Sequence, residues 1–96
     1  MKVLWSRRAI RHLIHLREYI GKDSQQNAAL VARRILDAVN LLPSQPHLGR
    51  PGRVLGTRER VVPETPYVIP YRVRRDQLEL IAVFHGRQKW PTKLQS

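Results

Sequence analysis

The sequence predicts an α+β fold in which a strand and an antiparallel helical hairpin precede a three-stranded antiparallel meander. In the first half of the chain, apolar residues recur every three or four positions, as on amphipathic helices. After a loop rich in proline and glycine, they recur every second position, as on half-buried strands. With 96 residues the chain can close one modest core, so we expect a single domain over 1–96.

The first elements are a short strand and a helix. Residues 1–5 form the predicted strand, and Ser6 is a candidate N-cap for a helix over 7–20. Gly21 follows the last apolar position and is a suitable C-cap, because glycine tolerates the left-handed conformation that often ends a helix.

A second helix follows after a short polar link. Asp23-Ser24 is the start signal, apolar residues keep helical spacing from Ala28 to Leu42, and Pro43 ends the helix. Two helices joined by so short a link are expected to form an antiparallel hairpin. Residues 43–53 contain three prolines and two glycines, so they are predicted to form a loop that leads the chain out of the helices.

The meander is predicted in the second half of the chain. Pro70 cannot donate to a strand ladder, so we expect a bulge or a missing partner there. Residues 86–96 read as a polar tail with Trp90 as its anchor. The predicted strands and turns are, in order, 54–62, a turn at 63–66, 67–74, a hairpin at Arg75-Asp76, and 78–85.

The composition is strongly basic and lacks cysteine. Eighteen Lys and Arg residues against seven Asp and Glu give a net charge of +11, and 14 of the basic residues are Arg. Arg binds carboxylates and phosphates through its forked guanidinium, so the partner is expected to be a nucleic acid or an acidic protein.

The absence of cysteine excludes disulfides and thiolate catalysis. No apolar run is long enough to cross a bilayer, so no membrane partner is expected.

Neither a cofactor site nor a metal site is predicted. The glycines at 49 and 52 lie in a proline-rich turn, not in a phosphate-binding loop between strand and helix. His12 and His15 are three residues apart on the first helix, but no third ligand is evident. We therefore interpret these histidines as part of a solvated helix face.

Candidate catalytic residues lie in the second half of the chain. Cleavage of RNA without a metal requires a base, an acid and cations that stabilise the phosphorane charge. His85 could act as acid or base, while Arg58, Arg60 and Arg87 could hold the phosphate. The alternative is that His85 is a hydrogen-bonded structural residue and that these arginines are solvated charges at strand edges.

Aromatic and basic residues on the predicted strands are candidates for binding a target. Tyr67 and Tyr71 point to one face, where they could stack on a base or simply fill the core. If several of the strand arginines share the face away from the helices, that face is a concave basic surface. The candidates for target binding are Tyr67, Tyr71, Arg72, Lys89 and Trp90, and the arginines on or beside the strands are Arg58, Arg60, Arg72, Arg74 and Arg87.

The order of elements and four stretches of sequence resemble the RelE/ParE toxins of bacterial type II toxin–antitoxin modules. The resemblance implies a small cytoplasmic protein that a co-encoded antitoxin neutralises, usually through an acidic, partly disordered segment that folds on binding. The stretches that carry the resemblance are Gly49-Arg50-Pro51-Gly52-Arg53, Thr57-Arg58-Glu59, Pro66-Tyr67-Val68-Ile69-Pro70-Tyr71-Arg72-Val73 and Val83-Phe84-His85-Gly86-Arg87.

The family resemblance leaves two targets open. ParE-like members poison DNA gyrase, whereas RelE-like members enter the ribosome and cut mRNA. Arg58 and Arg60 match the basic pair of the RelE pattern, and Arg87 or Lys89 could replace its late Arg, but Val68 stands where that pattern has an Arg. The resemblance therefore favours a gyrase-binding toxin, with a ribosome-dependent, metal-independent mRNA endoribonuclease as the alternative.

Overall fold

The computed structural model describes residues 1–91 of the chain, so the end of the predicted tail, 92–96, lies outside the described residues. Two helices and one mixed sheet make up this part of the protein, which confirms the predicted α+β class. The elements are β1 (Lys2–Trp5), α1 (Arg7–Gly21), α2 (Gln25–Leu41), β2 (Arg50–Pro51), β3 (Arg58–Val61), β4 (Tyr67–Arg74), β5 (Gln77–Leu80) and β6 (Phe84–His85).

Serine side chains cap both helices, as the sequence predicts. Ser6 Oγ accepts the backbone N–H of Ala9 at 3.0 Å, and Ser24 Oγ accepts that of Asn27 at 3.0 Å. The Ser6 hydroxyl also donates to the carbonyl of Ile81 at 2.7 Å, which fixes the start of α1 to the sheet.

The prediction that Gly21 caps α1 is wrong by one residue. Gly21 is the last residue of α1, and the C-cap is Lys22, which keeps a right-handed helical conformation. The next turn is closed by the N–H of Ser24, which donates to the carbonyl of Ile20 at 3.0 Å, so no left-handed residue is needed.

The sheet has the strand order β1-β5-β4-β3-β2, and β6 pairs with β4. Strands β3, β4 and β5 form the predicted antiparallel meander. Strand β1 lies parallel to β5, with Lys2 opposite Gln77 and Trp5 opposite Leu80. A parallel pair needs a long crossover, and here the helical hairpin is the first part of that connection.

Two predicted strands are shorter than expected. The strand predicted over 54–62 begins only at Arg58, because a turn precedes it. In this turn Gly56 has a φ of 82°, and the N–H of Gly52 donates a hydrogen bond to the carbonyl of Thr57. The strand predicted over 78–85 is divided into β5 and β6 by a bulge. The N–H of Ile81 donates to the carbonyl of Pro70 at 2.9 Å, so the bulge lies opposite the proline that predicted it.

The helices pack on one face of the sheet and form the main core. Ile35 of α2 and Tyr71 of β4 are both fully buried in this core. A second, smaller cluster lies on the opposite face, so that face is partly covered; its members are Val68, Ile81, Ala82, Phe84 and Trp90, with Val54 packed against them. Within the described residues, neither helix is long and apolar enough to cross a membrane.

Candidate functional site

The arginines of β3 and those of β4 lie on different faces of the sheet. Arg58 and Arg60 lie opposite Tyr71 and Ile69 in the β3–β4 ladder, and both of these residues belong to the core under the helices. Because opposed residues project to the same face, Arg58 and Arg60 project to the helix side. Arg72 follows Tyr71 on β4 and projects to the other side. Arg58 and Arg60 therefore do not join Arg72 on the face away from the helices, and the condition for one concave basic surface is not met by these residues.

Arg58 and Tyr71 hold the loop that follows α2. The guanidinium of Arg58 donates to the carbonyl of Gly49 at 2.8 Å. The hydroxyl of Tyr71 donates to the carbonyl of Pro46 at 2.7 Å and accepts the N–H of Gly49 at 2.9 Å. Burial raises the pKa of this buried hydroxyl. Of the two interpretations of Tyr71, filling the core is the one that its position supports.

Arg60 lies in a groove between α2 and the turn after β3. Arg34 and Glu64 form an ion pair at 3.2 Å along this groove, whose volume is about 240 Å³. The Nε atom of Arg60 is buried, and within residues 1–91 it has no hydrogen-bond partner. The residues that line the groove include two basic side chains, Arg34 and Arg60, and two acidic ones, Asp37 and Glu64.

Arg72 and Arg74 share one carboxylate on the far face of the sheet. Their Nε atoms lie 3.2 and 3.0 Å from Oε1 of Glu79. The hydrogen bond from Arg74 is the main reason that the pKa of Glu79 lies below its usual value. The charge of this arginine pair is thus partly neutralised within the protein.

His85 is the last residue of β6 and lies opposite Tyr67, the first residue of β4. The N–H of His85 donates to Oε1 of Gln88 at 2.8 Å, and Nδ1 of His85 accepts the N–H of Arg87 at 3.1 Å. The ring of Tyr67 meets the imidazole edge-on at 5.6 Å. The side chains of Arg87 and Lys89 are exposed.

The candidate catalytic residues do not converge on one point. Strands β3 and β6 flank β4 on opposite sides, and Arg58 lies opposite Tyr71 whereas His85 lies opposite Tyr67. Four residues along a strand span roughly 13 Å. Arg58 and His85 are therefore separated both along the sheet and across it. Arg60 lines a groove beside α2, whereas His85 lines a cleft beside α1 and Arg87 follows it in the chain.

Glu59 is a buried carboxylate to which the sequence analysis gave no role, although it lies in one of the stretches that carry the resemblance. Its side chain is 3% exposed and accepts hydrogen bonds from the N–H and Nε of Arg53 at 2.8 and 3.0 Å and from NH2 of Arg50 at 3.1 Å. Burial opposes ionisation, but the bonds from Arg53 and Arg50 outweigh it and lower the pKa of Glu59. The sequence feature that could have indicated an ion-pairing role is that Glu59 is the one acidic residue within the arginine-rich stretch 50–60.

Trp90 anchors the C-terminal segment, as predicted. Its side chain is 9% exposed, and its ring lies 4.7 Å from that of Phe84. The guanidinium of Arg53 lies over the indole. As a candidate for target binding, Trp90 presents little surface in this conformation.

A cleft separates α1 from the edge formed by β4 and β6, and its volume is about 320 Å³. His12 was expected on a solvated helix face, but it is half-buried and its Nδ1 accepts the N–H of Val83 at 3.1 Å. Burial, followed by the charge of Arg8, lowers the pKa of His12. The exposed His15 agrees with the prediction. The cleft is lined by His12, His15, Leu16, Tyr19, Tyr67, Val83, His85 and Gln88.

The described part of the chain contains no group of three or more His, Cys, Asp or Glu residues that could hold a metal ion. The three histidines of the cleft are therefore not arranged as a metal site. What they offer is a set of hydrogen-bond donors and acceptors beside two tyrosine rings.

The chain is similar in sequence to two toxin proteins over most of its length. Y4kP of Sinorhizobium fredii, a protein with a toxin designation, is 45% identical over 93 residues, which cover 97% of this chain and 96% of that protein. Toxin RelE2 of Caulobacter vibrioides is 32% identical over 85 residues, or 88% of this chain and 94% of the relative.

The fold is similar to that of a solved structure described as the chromosomal ParDE TA system from P. aeruginosa. The TM-score is 0.81 at 23% identity, and the match covers 88% of this chain and 95% of the other. A family model described as the ParE toxin of the type II toxin–antitoxin system, parDE, matches residues 3–90. The chain therefore belongs to the ParE toxin family of type II toxin–antitoxin systems.

Proposed function

We propose that this toxin acts in the cytoplasm by binding DNA gyrase, and that it inhibits growth without cleaving RNA itself. The observation that carries the proposal is the separation of Arg58 and Arg60 from His85 and Arg87 across β4. Metal-free cleavage of RNA needs its acid, base and cations around one phosphate.

The environment of Val68 also supports binding over cleavage. Val68 occupies the position at which the RelE pattern has an arginine. It is 5% exposed and belongs to the apolar cluster that Trp90 covers. A charged side chain at this position would be costly to bury without a partner.

The test is a pair of assays on one preparation of the toxin. Gyrase with relaxed plasmid reports supercoiling, and programmed ribosomes with a defined mRNA report cleavage. We expect supercoiling to be lost at micromolar toxin while the mRNA stays intact. Normal supercoiling, or cleavage of the mRNA, would contradict the proposal.

A double variant separates the two targets in cells. His85→Ala with Arg87→Ala removes the best acid–base candidate and its adjacent cation, and both side chains lie outside the main core. If the toxin acts by binding gyrase, this variant stays toxic on expression and still inhibits supercoiling. Loss of toxicity in a variant whose circular dichroism spectrum is unchanged would favour the endoribonuclease.

We further propose that the cognate antitoxin is acidic and that the outer surface of α1 is part of its binding site. Within residues 1–91, Arg7, Arg11 and Arg17 are exposed and form no ion pair. Ile10 and Ile14 on the same helix are 45% and 50% exposed. An amphipathic acidic segment could bury these isoleucines and pair with the arginines.

Charge reversal tests the proposed antitoxin surface. Arg11→Glu should weaken binding of the antitoxin by at least about tenfold and reduce its salt dependence. Arg75→Glu, in the β4–β5 turn, is the matched control and should bind almost normally. Equal effects of the two variants would mean that net charge, not the α1 surface, determines binding.

A further inference from the structure

The residues that line the cleft between α1 and the β4–β6 edge include no carboxylate and no Lys or Arg, but positive charges border it on α1 and after β6. Arg8 and Arg11 act electrostatically on His12, and Arg87 follows His85 in the chain. The NH1 atom of Arg8 is buried, and within the described residues it has no hydrogen-bond partner. A ligand of this cleft should therefore be anionic and rich in hydrogen-bond acceptors.

Two imidazoles of the cleft are fixed as hydrogen-bond donors. Nδ1 of His12 accepts the N–H of Val83, and Nδ1 of His85 accepts the N–H of Arg87, both at 3.1 Å. In a neutral imidazole with an accepting Nδ1, the proton is on Nε2. Neither Nε2 has a protein partner within residues 1–91, so both N–H groups are available to a ligand.

The walls of the cleft are aromatic and its floor is apolar. Tyr19 is 72% exposed on α1, although it stands beside the buried residues Leu16 and Val83. Tyr67 is half-buried on β4 and supports the imidazole of His85. Exposed aromatic faces beside cationic side chains are the means by which proteins stack unpaired nucleobases.

The size of the cleft limits what it can hold. A volume of about 320 Å³ is at the lower end of the range of ligand-binding pockets. An acidic helix would need a longer groove with anchor positions over several turns. One nucleotide fits the local shape and the donors better.

We propose that this cleft binds one unstacked nucleotide of a single-stranded nucleic acid, with the base against Tyr19 and Tyr67 and the phosphate near Arg8 of α1. This site is distinct from the α1 outer surface proposed for the antitoxin. It does not depend on gyrase binding, and its test contains no gyrase.

The four histidines of the chain provide the first test. An oligothymidylate is titrated at low salt into the full chain, and the imidazole ¹⁵N–¹H signals are followed by NMR. We expect His12, His15 and His85 to shift, whereas His47, which lies in the loop beside β3, serves as the internal control. Shifts of all four signals alike, or of none, would overturn the proposal.

A tyrosine series provides the second test, with binding measured by fluorescence anisotropy of the labelled oligothymidylate. Tyr19→Ala should weaken binding by about tenfold through loss of stacking, whereas Tyr19→Phe should bind as the wild type does. Arg75→Ala is the control for general charge and should change the affinity much less.

Two results would refute the nucleotide site. Equal weakening by Tyr19→Ala and Arg75→Ala would mean that binding is electrostatic and does not use the cleft. Shifts of the three cleft histidines with an acidic antitoxin peptide, but not with the oligothymidylate, would assign the cleft to a protein partner.

Discussion

The guanidinium of Arg53 lies 3.5 Å from the centre of the Trp90 ring. The same group donates from Nε to Glu59 at 3.0 Å, so one side chain joins the buried carboxylate of β3 to the C-terminal segment. Trp90 in turn packs on Phe84 and covers the second apolar cluster. The stretch Gly49–Arg53 that carries the family resemblance therefore has a structural role in holding the sheet together.

Glu59→Gln should lower the free energy of unfolding by about 2 kcal/mol, because it weakens the bonds to Arg50 and Arg53 in a buried site. The measurement is urea denaturation near neutral pH. The control is Glu64→Gln, whose carboxylate is 76% exposed and pairs with Arg34, and we expect less than about 0.5 kcal/mol there.

The pH dependence of Glu59 follows from its lowered pKa. The stabilisation is present above the usual carboxyl pKa of 4.5 and is lost as the pH falls through the lower pKa of the folded state. The Glu59→Gln variant should therefore lose less stability than the wild type on acidification. An identical acid response would show that the arginine bonds do not stabilise the carboxylate.

Tyr71→Phe should lower the free energy of unfolding by about 1–3 kcal/mol. The hydroxyl has two partners, and its removal leaves the N–H of Gly49 without its acceptor in a buried site. Chemical denaturation measures the loss, and the exposed Tyr19→Phe is the control with almost no expected change. If both variants unfold alike, Tyr71 does not hold the loop.

Gly52→Ala should destabilise the protein by about 2 kcal/mol or more, because a Cβ there would lie 2.9 Å from the backbone carbonyl oxygen of Thr57. Gly21→Ala is the control: Gly21 ends α1 and the nearest atoms to its Cβ are 3.4 Å away, so alanine should be neutral or slightly stabilising. A thermal melt of each variant compares the two glycines directly. Gly52→Ala melting at the wild-type temperature would contradict this account of the motif.

The fold was predictable because its signals are local. The caps at Ser6 and Ser24, the two hydrophobic periods and the hairpin at Arg75-Asp76 each depend on residues close together in sequence. The parallel pairing of β1 with β5 was not predicted, because it joins residues about 75 positions apart and no local pattern encodes it.

The candidate site was less predictable, because it depends on the register between strands. A shift of one residue moves a side chain to the other face of a sheet, and this register places Arg58 and Arg60 under the helices while Arg72 and Arg74 face away. His12 was assigned to a solvated face because its neighbour across the cleft, Val83, is 71 residues away in sequence.

His12 should make the protein less stable in mild acid. Its pKa in the folded state is lowered, first by burial and then by Arg8, so the folded state favours the neutral ring. The contribution to stability is complete above the usual histidine pKa of 6.5 and is lost as the pH falls from there through the pKa of the folded state. Protonation would also remove the acceptor for the N–H of Val83.

The measurement is urea denaturation at about pH 7.5 and about pH 5.5. His12→Asn keeps an acceptor near the position of Nδ1 but cannot be protonated in this range. We expect the wild type to lose more free energy of unfolding between the two pH values than this variant loses. His47→Asn removes an exposed histidine and is the matched control, which should behave as the wild type does. If His12→Asn loses as much stability as the wild type, the neutral form of His12 is not favoured by the fold.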